Sequence, residues 1–207
     1  MYKNELYERY PILKACEADI DTALSMMLET YHAGGKILLC GNGGSHADCG
    51  HIVGELMKGF LLPRPVTAEM KAALEKIPGG EEITPKLQRG IPAISLPAQA
   101  EVLSAYANDV DASLVYAQLV YGYGHPGDLL IGISTSGNSK NVVAAAVTAK
   151  ALGIKTLALT GGRESKLSAL CDCTIRVPET ETFKVQELHL PVYHHLCAAM
   201  EDTLFGE

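Results

Sequence analysis

The sequence alternates short apolar runs with longer stretches of helical periodicity, and this alternation constrains the fold more than any other feature. The runs are aliphatic or β-branched and are bounded by Gly or Pro, as strands are. They fall at residues 36–40, 93–96, 128–134, 154–160 and 173–177. Strands that alternate with helices pair in parallel, and the continuously apolar run 129–133 indicates a strand covered on both faces. We therefore predict an α/β fold, a three-layer doubly wound sheet of about five parallel strands.

Helical periodicity also flanks the predicted sheet at both ends of the chain. Residues 5–32 predict one helix, which ends at Gly34 and Gly35 because glycine favours the left-handed conformation that closes helices. Residues 181–204 predict a long terminal helix, in which Pro191 can kink the axis. Both helices carry apolar stripes beyond what one sheet face needs, so we expect them to pack between subunits.

One segment, residues 63–90, interrupts the alternation. A chain of this length fits one compact domain, residues 1–207, and we interpret the segment as an insertion into it. A short amphipathic helix is predicted between its Pro- and Gly-rich ends, with Thr67 as the N-cap. Two roles stay open: a lid that carries Lys58 or Arg64 towards a bound phosphate, or a pad between subunits.

Charge and hydropathy narrow the function classes. The formal net charge is −7, so the chain has no broad basic field for a phosphate backbone, and nucleic acid is not an expected partner. No stretch has the roughly 20 apolar residues that a membrane helix needs, and the charged first residues do not resemble a signal peptide. The six cysteines are therefore expected to be free thiols. We expect a cytoplasmic protein with no membrane partner.

The loop after the first predicted strand carries the first chemical signal. In an open parallel sheet, ligands bind beyond the carboxyl ends of the strands. Residues 41–45 read Gly-Asn-Gly-Gly-Ser and open a helix, which places flexible backbone and a hydroxyl at a partly positive helix end. A tight turn with Ser45 as N-cap explains the same residues, so this loop alone leaves both interpretations open.

The loop after the third predicted strand concentrates hydroxyl groups. Residues 134–139 read Ser-Thr-Ser-Gly-Asn-Ser and precede an amphipathic helix at 141–152. Capping a helix needs one or two hydroxyls, whereas this loop offers four beside an amide and free backbone N–H groups, which favours phosphate binding. The loop matches neither the P-loop nor the Gly-x-Gly-x-x-Gly pattern, which disfavours a nucleotide.

Together the two loops resemble those of a known family. Cys-Gly-Asn-Gly-Gly-Ser-His at 40–46 and Gly-Ile-Ser-Thr-Ser-Gly-Asn-Ser at 132–139 are specific to the phosphoheptose isomerase family of SIS-domain proteins. The chain resembles this family over nearly its whole length, apart from residues 63–90. The resemblance implies isomerisation of sedoheptulose 7-phosphate to glycero-manno-heptose 7-phosphate, a homotetramer, and a bound divalent metal such as zinc.

The resemblance also implies a set of site residues. On the helix after the first loop, His51 and Glu55 match metal-contacting positions, and Glu55 also matches a catalytic carboxylate. On the terminal helix, Gln186 matches a metal and substrate position, and His194 matches a metal and catalytic position. The remaining matches are substrate contacts, namely Asn42, Gly43, Gly44, Ser45, Asn108, Asp109, Ser134, Thr135, Ser136 and Ser139.

Helical spacing is compatible with these roles but does not require them. His51 and Glu55 are four residues apart and share one helix face, and Gln186 and His194 are about two turns apart. Without the resemblance, a His and a Glu at this spacing are more commonly a solvated pair. Three histidines crowd the terminal helix, and only the resemblance selects His194.

The predicted chemistry follows from interconverting a ketose and an aldose. A proton leaves one carbon and a proton reaches its neighbour, through an enediol whose oxygens need stabilisation. We predict an aldose-ketose isomerase with Glu55 and His194 as the acid/base pair. A metal held by His51, Glu55, Gln186 and His194 would orient or polarise the substrate oxygens.

Two other functions stay open. A non-catalytic SIS protein that senses a sugar phosphate, or docks on a partner such as a replication initiator, needs the hydroxyl loops but no titratable groups, whereas this chain has both. An isomerase or epimerase for another phosphosugar needs both, so the sequence does not fix the sugar.

Overall fold

The computed structural model describes residues 2–206, with side chains described from residue 5 onward. At its centre is one parallel β-sheet. Its five strands are β1 Ile37–Gly41, β2 Ala93–Ser95, β3 Leu129–Ile133, β4 Lys155–Gly161 and β5 Cys173–Val177. They stand side by side in the order β2-β1-β3-β4-β5, with Leu39 of β1 opposite Ser95 of β2 and Ile131 of β3. The predicted parallel α/β sheet is confirmed.

Ten α-helices within residues 2–206 connect and flank the strands. They are α1 Tyr2–Arg9, α2 Glu17–His32, α3 Gly44–Leu56, α4 Ala68–Leu74, α5 Gly80–Ile83, α6 Ala100–Tyr106, α7 Val115–Tyr123, α8 Lys140–Ala151, α9 Lys166–Leu170 and α10 Thr182–Phe205. Short 3-10 turns occur at Pro11–Cys16, Thr84–Lys86, Leu96–Ala98 and Ala112–Leu114, and a π-helical turn at Ala107–Asp111. None of these helices combines the length and the apolar character needed to cross a bilayer.

Successive strand residues face opposite sides of the sheet and build two cores. On one side, residues such as Leu39 and Ile131 pack with α2, α3 and α10. On the other side, the intervening residues such as Leu38 and Leu130 pack with α7, α8 and α9. Both faces are covered, which explains the continuously apolar strands and confirms the predicted three layers.

The single helix predicted over residues 5–32 is divided in the structure. A 3-10 turn at Pro11–Cys16 separates α1 from α2. Pro11 lacks an N–H group and its ring crowds the preceding turn, which favours a break in the helix here. α2 closes as predicted, with Gly34 at a φ of +73°. The terminal helix α10, in contrast, continues through Pro191.

Residues 63–90 contain the short helices α4 and α5 and, throughout this described segment, no strand of the sheet. Thr67 accepts a hydrogen bond from the Met70 N–H at 3.2 Å, which confirms the predicted N-cap. The two ends of the segment lie side by side, because residues 65 and 88 form an isolated antiparallel bridge. The segment is therefore an insertion outside the sheet whose two ends are adjacent.

The hypothesis that this segment brings Arg64 to a phosphate is wrong. The guanidinium of Arg64 is fully buried, with Nε 2.6 Å from Oε1 of Glu201 and Nη1 donating to the Leu56 carbonyl at 2.6 Å. Glu201 also accepts hydrogen bonds from the backbone N–H groups of residues 60, 61 and 62. A buried charge is stable when it is paired in this way, so Arg64 fixes the chain after α3 instead.

Candidate active site

The loops after β1 and β3 lie where the strand order changes direction. β1 and β3 are neighbours, but α3, which follows β1, packs on one face of the sheet and α8, which follows β3, packs on the other. A switch point of this kind opens a crevice at the carboxyl ends of the strands. Asn42 and Asn141 bridge it with two side-chain hydrogen bonds of 2.9 Å. The two predicted loops therefore lie together.

The first loop turns on Gly43, which has a φ of +56° and is the N-cap of α3. Glycine reaches this backbone region readily because it lacks a Cβ. Ser45 is the second residue of α3 and is buried, so its interpretation as the N-cap is wrong. Gly44 lies against the side-chain amide of Gln186, and a Cβ at this position would overlap that amide. Since no side chain caps α3, its N-terminus is suited to binding an anion.

The second loop is organised by its own hydroxyl groups. Ser134 is buried, and its Oγ lies 3.0 Å from Oγ of Ser139. Ser139 occupies the N-cap position of α8, yet its side chain makes no capping hydrogen bond. Ser136 Oγ accepts from the Asn138 N–H at 3.2 Å, and Gly137 supplies a φ of +63°. These hydroxyls therefore do not cap α8, which leaves the phosphate-binding interpretation of the loop.

Asn108 and Asp109 lie on the π-helical turn, and both are exposed. The Asn108 amide donates to Oδ1 of Asp109 at 2.8 Å. Turns of this type are frequent at functional sites. Thr135 is half-buried, and its carbonyl oxygen accepts a hydrogen bond from the Gly161 N–H at 3.0 Å. Asn108, Asp109 and Thr135 are thus each held by a hydrogen bond. That these three residues contact a substrate stays a prediction.

A second group of polar side chains lies where α3 meets α10. Nε2 of His51 is 3.3 Å from Oε1 of Glu55 and 3.3 Å from Nε2 of His194. Oε2 of Glu55 lies 3.2 Å from Nζ of Lys58. His51 and Glu55 share a face of α3 because they are four residues apart. The structure thus brings three predicted site residues together and adds Lys58 beside them.

Gln186 lies at the other end of α3. Gly44, which it contacts, is the first residue of α3, and His51 is the eighth, a separation of roughly 10 Å along the helix axis. The predicted four-residue metal set is therefore divided: His51, Glu55 and His194 converge, and Gln186 faces the first loop. In the described part of the chain, no group of three or more His, Cys, Asp or Glu side chains is arranged so that it could hold a metal ion.

The surroundings of the α10 histidines separate their roles. Burial, and then the neighbouring His51, lower the pKa of His194, so its neutral imidazole is favoured. Burial lowers the pKa of His189 to about 4, and its Nε2 lies 3.3 Å from the Thr160 carbonyl oxygen. His195 is buried as well. It is His194 that lies beside His51, a distinction that helical spacing alone does not make.

Three residues at the site were missed by sequence reasoning. The Tyr116 hydroxyl donates to a backbone carbonyl of β1 at 2.7 Å and lies 3.3 Å from Oδ1 of Asn42. The phenol of Tyr193 lies between Asp48 and His51. Asp48 precedes His51 by three residues, so their shared helix face was a usable signal. The two tyrosines have no comparable signal, because nothing in their local sequence indicates which polar groups they face.

Two family models, each described as an SIS domain, match residues 2–89 and 98–198 of the chain. The fold, the two loops and these matches define an SIS-domain protein.

Comparison with individual relatives identifies the family within the class of SIS-domain proteins. A phosphoheptose isomerase of Aneurinibacillus thermoaerophilus is 36% identical over 186 residues, which cover 90% of this chain and 82% of the relative. The structure of a phosphoheptose isomerase from Francisella tularensis is similar with a TM-score of 0.76 and 28% identity, over 96% of both chains. That of the Neisseria gonorrhoeae enzyme has a TM-score of 0.74 and 29% identity, over 95% of this chain and 94% of that one. The chain belongs to the phosphoheptose isomerase family.

Proposed function

We propose that this protein is an isomerase of sugar phosphates that converts sedoheptulose 7-phosphate into glycero-manno-heptose 7-phosphate. The observation that carries the proposal is the convergence of His51, Glu55 and His194 at spacings of 3.3 Å in a chain that also has the two loops. Binding a sugar phosphate needs the loops, whereas moving a proton between carbons also needs titratable groups. The names of the relatives support the same activity.

In this proposal the two loops hold the substrate at the carboxyl edge of the sheet, where ligands of such sheets bind. The phosphate lies against the second loop and the N-terminus of α8, with hydroxyl contacts from Ser45, Ser134, Thr135, Ser136 and Ser139. The sugar chain lies beside Asn42, Gly43, Gly44, Asn108, Asp109 and Gln186. The position of the Gln186 amide against Gly44 supports its role as a sugar contact.

Glu55 and His194 supply the acid and base. One of them removes a proton from C1 of the ketose and delivers a proton to C2. The other moves a proton between the two substrate oxygens, so the enediol forms and collapses with no net change in protons. The lowered pKa of His194, caused by burial and by His51, favours an imidazole that can accept a proton near neutral pH.

We also propose that a divalent metal, zinc, binds beside His51. Bonds of roughly 2.0–2.1 Å to zinc place the ligand atoms of a tetrahedral site about 3.3 Å apart. The donor atoms of Glu55 and His194 have that spacing from Nε2 of His51, and imidazole and carboxylate are ligands that zinc takes. Gln186 would complete the set, although its amide contacts Gly44 in this structure. A bound metal would polarise the substrate oxygens.

A homotetramer in the cytoplasm completes the proposal. Several large apolar side chains are exposed on the described chain, among them Leu61, Met70, Ile77, Phe183 and Leu190. Apolar surface of this kind supports burial between copies of the chain. All six cysteines are free thiols, which suits a reducing compartment.

The test of the proposed function is the Glu55→Gln variant, which keeps the size of the side chain and removes its ability to take up a proton. We expect the turnover of sedoheptulose 7-phosphate to fall by at least about 10²-fold while the circular dichroism spectrum is kept. Glu187→Gln is the matched control, because Glu187 is an exposed carboxylate of α10. Turnover near that of the wild type in Glu55→Gln would refute the assignment.

A further inference from the structure

The phenol of Tyr193 links Asp48 to His51 through hydrogen bonds to both side chains. Its hydroxyl donates to Oδ1 of Asp48 at 3.2 Å and lies 3.0 Å from Nδ1 of His51. Tyr193 is 2% exposed, and the rings of Tyr193 and His51 meet edge to face with centroids 5.4 Å apart. Tyr193 precedes His194 in α10, so one turn of this helix contacts both nitrogen atoms of His51.

The direction of these hydrogen bonds determines which nitrogen of His51 carries a proton. A tyrosine hydroxyl has one proton, and burial together with the neighbouring Asp48 raises the pKa of Tyr193 above its ordinary value, so that proton stays in place near neutral pH. A carboxylate can only accept, so the hydroxyl proton of Tyr193 points to Asp48. The remaining contact then requires His51 to donate from Nδ1 to the phenol oxygen. In a neutral imidazole this leaves Nε2 without a proton, so that its lone pair is free to accept.

That lone pair lies where the proposed chemistry needs it. Nε2 of His51 is the atom that lies 3.3 Å from both Glu55 and His194. With Nδ1 protonated, Nε2 and the Glu55 carboxylate are both electron-pair donors at close range, an arrangement that a cation between them stabilises. In the opposite tautomer, Nε2 carries a proton and does not bind a metal.

We propose that Tyr193 and Asp48 are positioning residues that hold His51 in the Nδ1–H tautomer and so present its Nε2 lone pair to the metal and substrate side, an inference that rests on the proposed function of this site. Metal-bound histidines commonly donate their second N–H to an acceptor, and here the acceptor is a phenol fixed by a carboxylate. Oδ2 of Asp48 is buried without a hydrogen-bond partner among the described residues, so the Tyr193 contact is the one that its carboxylate makes here.

The first test measures the tautomer and needs neither activity nor metal. Two-bond ¹H–¹⁵N spectra of chelator-treated protein at pH 8 distinguish Nδ1–H, Nε2–H and doubly protonated imidazole, and the His51→Gln variant assigns the His51 signal among the seven histidines. We expect Nδ1–H in the wild type and a shift towards Nε2–H in Tyr193→Phe. An Nε2–H or doubly protonated His51 in the wild type, or no change in Tyr193→Phe, would overturn the proposal.

The second test measures zinc affinity by competition with a chromophoric chelator. We expect Tyr193→Phe to bind zinc about 10- to 100-fold more weakly. Tyr7→Phe is the matched control, because it removes another buried hydroxyl, one that has no hydrogen-bond partner among the described residues. Unchanged affinity in Tyr193→Phe would contradict the positioning role.

A double-variant cycle separates positioning from a general loss of packing. Asp48→Asn replaces a pure acceptor with an amide that can also donate, so the direction of the Tyr193 hydrogen bond is no longer fixed. We expect Asp48→Asn to weaken zinc binding in the wild type and to add little in Tyr193→Phe. Additive losses would contradict an action of Asp48 through Tyr193. If the wild type binds no zinc, the metal part of the proposed function fails, and the tautomer measurement still decides this inference.

Discussion

His189 and His194 lie on the same helix, yet their surroundings give them different chemistry. His189 is fully buried, and its Nε2 contacts the Thr160 carbonyl oxygen at 3.3 Å. His194 is half-buried and lies beside His51 and Glu55. Desolvation favours the neutral form of an imidazole, most strongly where burial is complete. His189 is thus a core residue whose burial destabilises the fold at low pH, and His194 is a residue of the site.

The burial of His189 predicts a pH dependence of stability. Its folded pKa of about 4 lies below its ordinary value of 6.5. The unfolded chain therefore binds the extra proton first, so stability that is present above pH 6.5 is lost as the pH falls towards 4. We expect this residue to account for on the order of 3 kcal/mol of that loss in the free energy of unfolding.

Urea unfolding of the wild type and of His189→Gln at several pH values between 7 and 4 measures this contribution. The variant should lose less stability than the wild type over this range, whatever its stability at pH 7. His32→Gln, at an exposed histidine, serves as the control and should follow the wild type. Parallel curves for the wild type and His189→Gln would refute the prediction.

At the scale of elements, the turn between β3 and α8 depends on one glycine. Gly137 has a φ of +63°, and its N–H donates to the Ser134 carbonyl at 2.9 Å. A Cβ at this position would also overlap the Ser165 hydroxyl. Glycine is the residue that permits both the backbone conformation and this close approach.

Gly137→Ala should therefore distort the second loop. We expect a loss of about 1–3 kcal/mol in the free energy of unfolding, together with a raised KM for the sugar phosphate. Gly50→Ala is the control: Gly50 lies within α3 with open space around it, so alanine should raise stability by roughly 0.5–1 kcal/mol. A Gly137→Ala protein with wild-type stability and KM would contradict this account of the loop.

Sequence periodicity was sufficient to predict all five strands, because a strand buried on both faces is a short and continuously apolar run. The division of the first helix at Pro11 was missed, although the proline was a local signal. Other features had no local signal. Arg64 pairs with Glu201, and Tyr193 with Asp48, across more than 130 positions of the chain. Such contacts depend on how α3 and α10 pack, which periodicity does not determine.

At the scale of the whole molecule, residues 63–90 present apolar side chains outward. Met70, Ile77 and Ile83 are exposed, whereas Leu74 is buried. These side chains would be covered either by a neighbouring subunit or by closure of the segment over the crevice. The fixed position of Arg64 restricts any such closure to the residues that follow it.

Replacing residues 66–88 by a short Gly/Ser linker separates the two roles. The bridge between residues 65 and 88 brings the ends together, so the linker can close without strain on the sheet. Light scattering should give a tetramer for the wild type. If the segment is a pad between subunits, as its exposed apolar side chains favour, the replaced protein loses the tetramer but keeps its fold. A persistent tetramer with weakened substrate use would instead support a lid, and a monomeric wild type would contradict the proposed assembly.

Exchange with deuterated water measures most directly whether this chain moves a proton between neighbouring carbons of a heptose phosphate. The protein is incubated with sedoheptulose 7-phosphate and a panel of other ketose and aldose phosphates, and NMR follows the proton on the carbon next to the carbonyl. We expect deuterium at that carbon and formation of the aldose with sedoheptulose 7-phosphate, and neither with Glu55→Gln. Tight binding of a sugar phosphate with no exchange for any member of the panel would contradict the proposed isomerase activity and indicate a sensor.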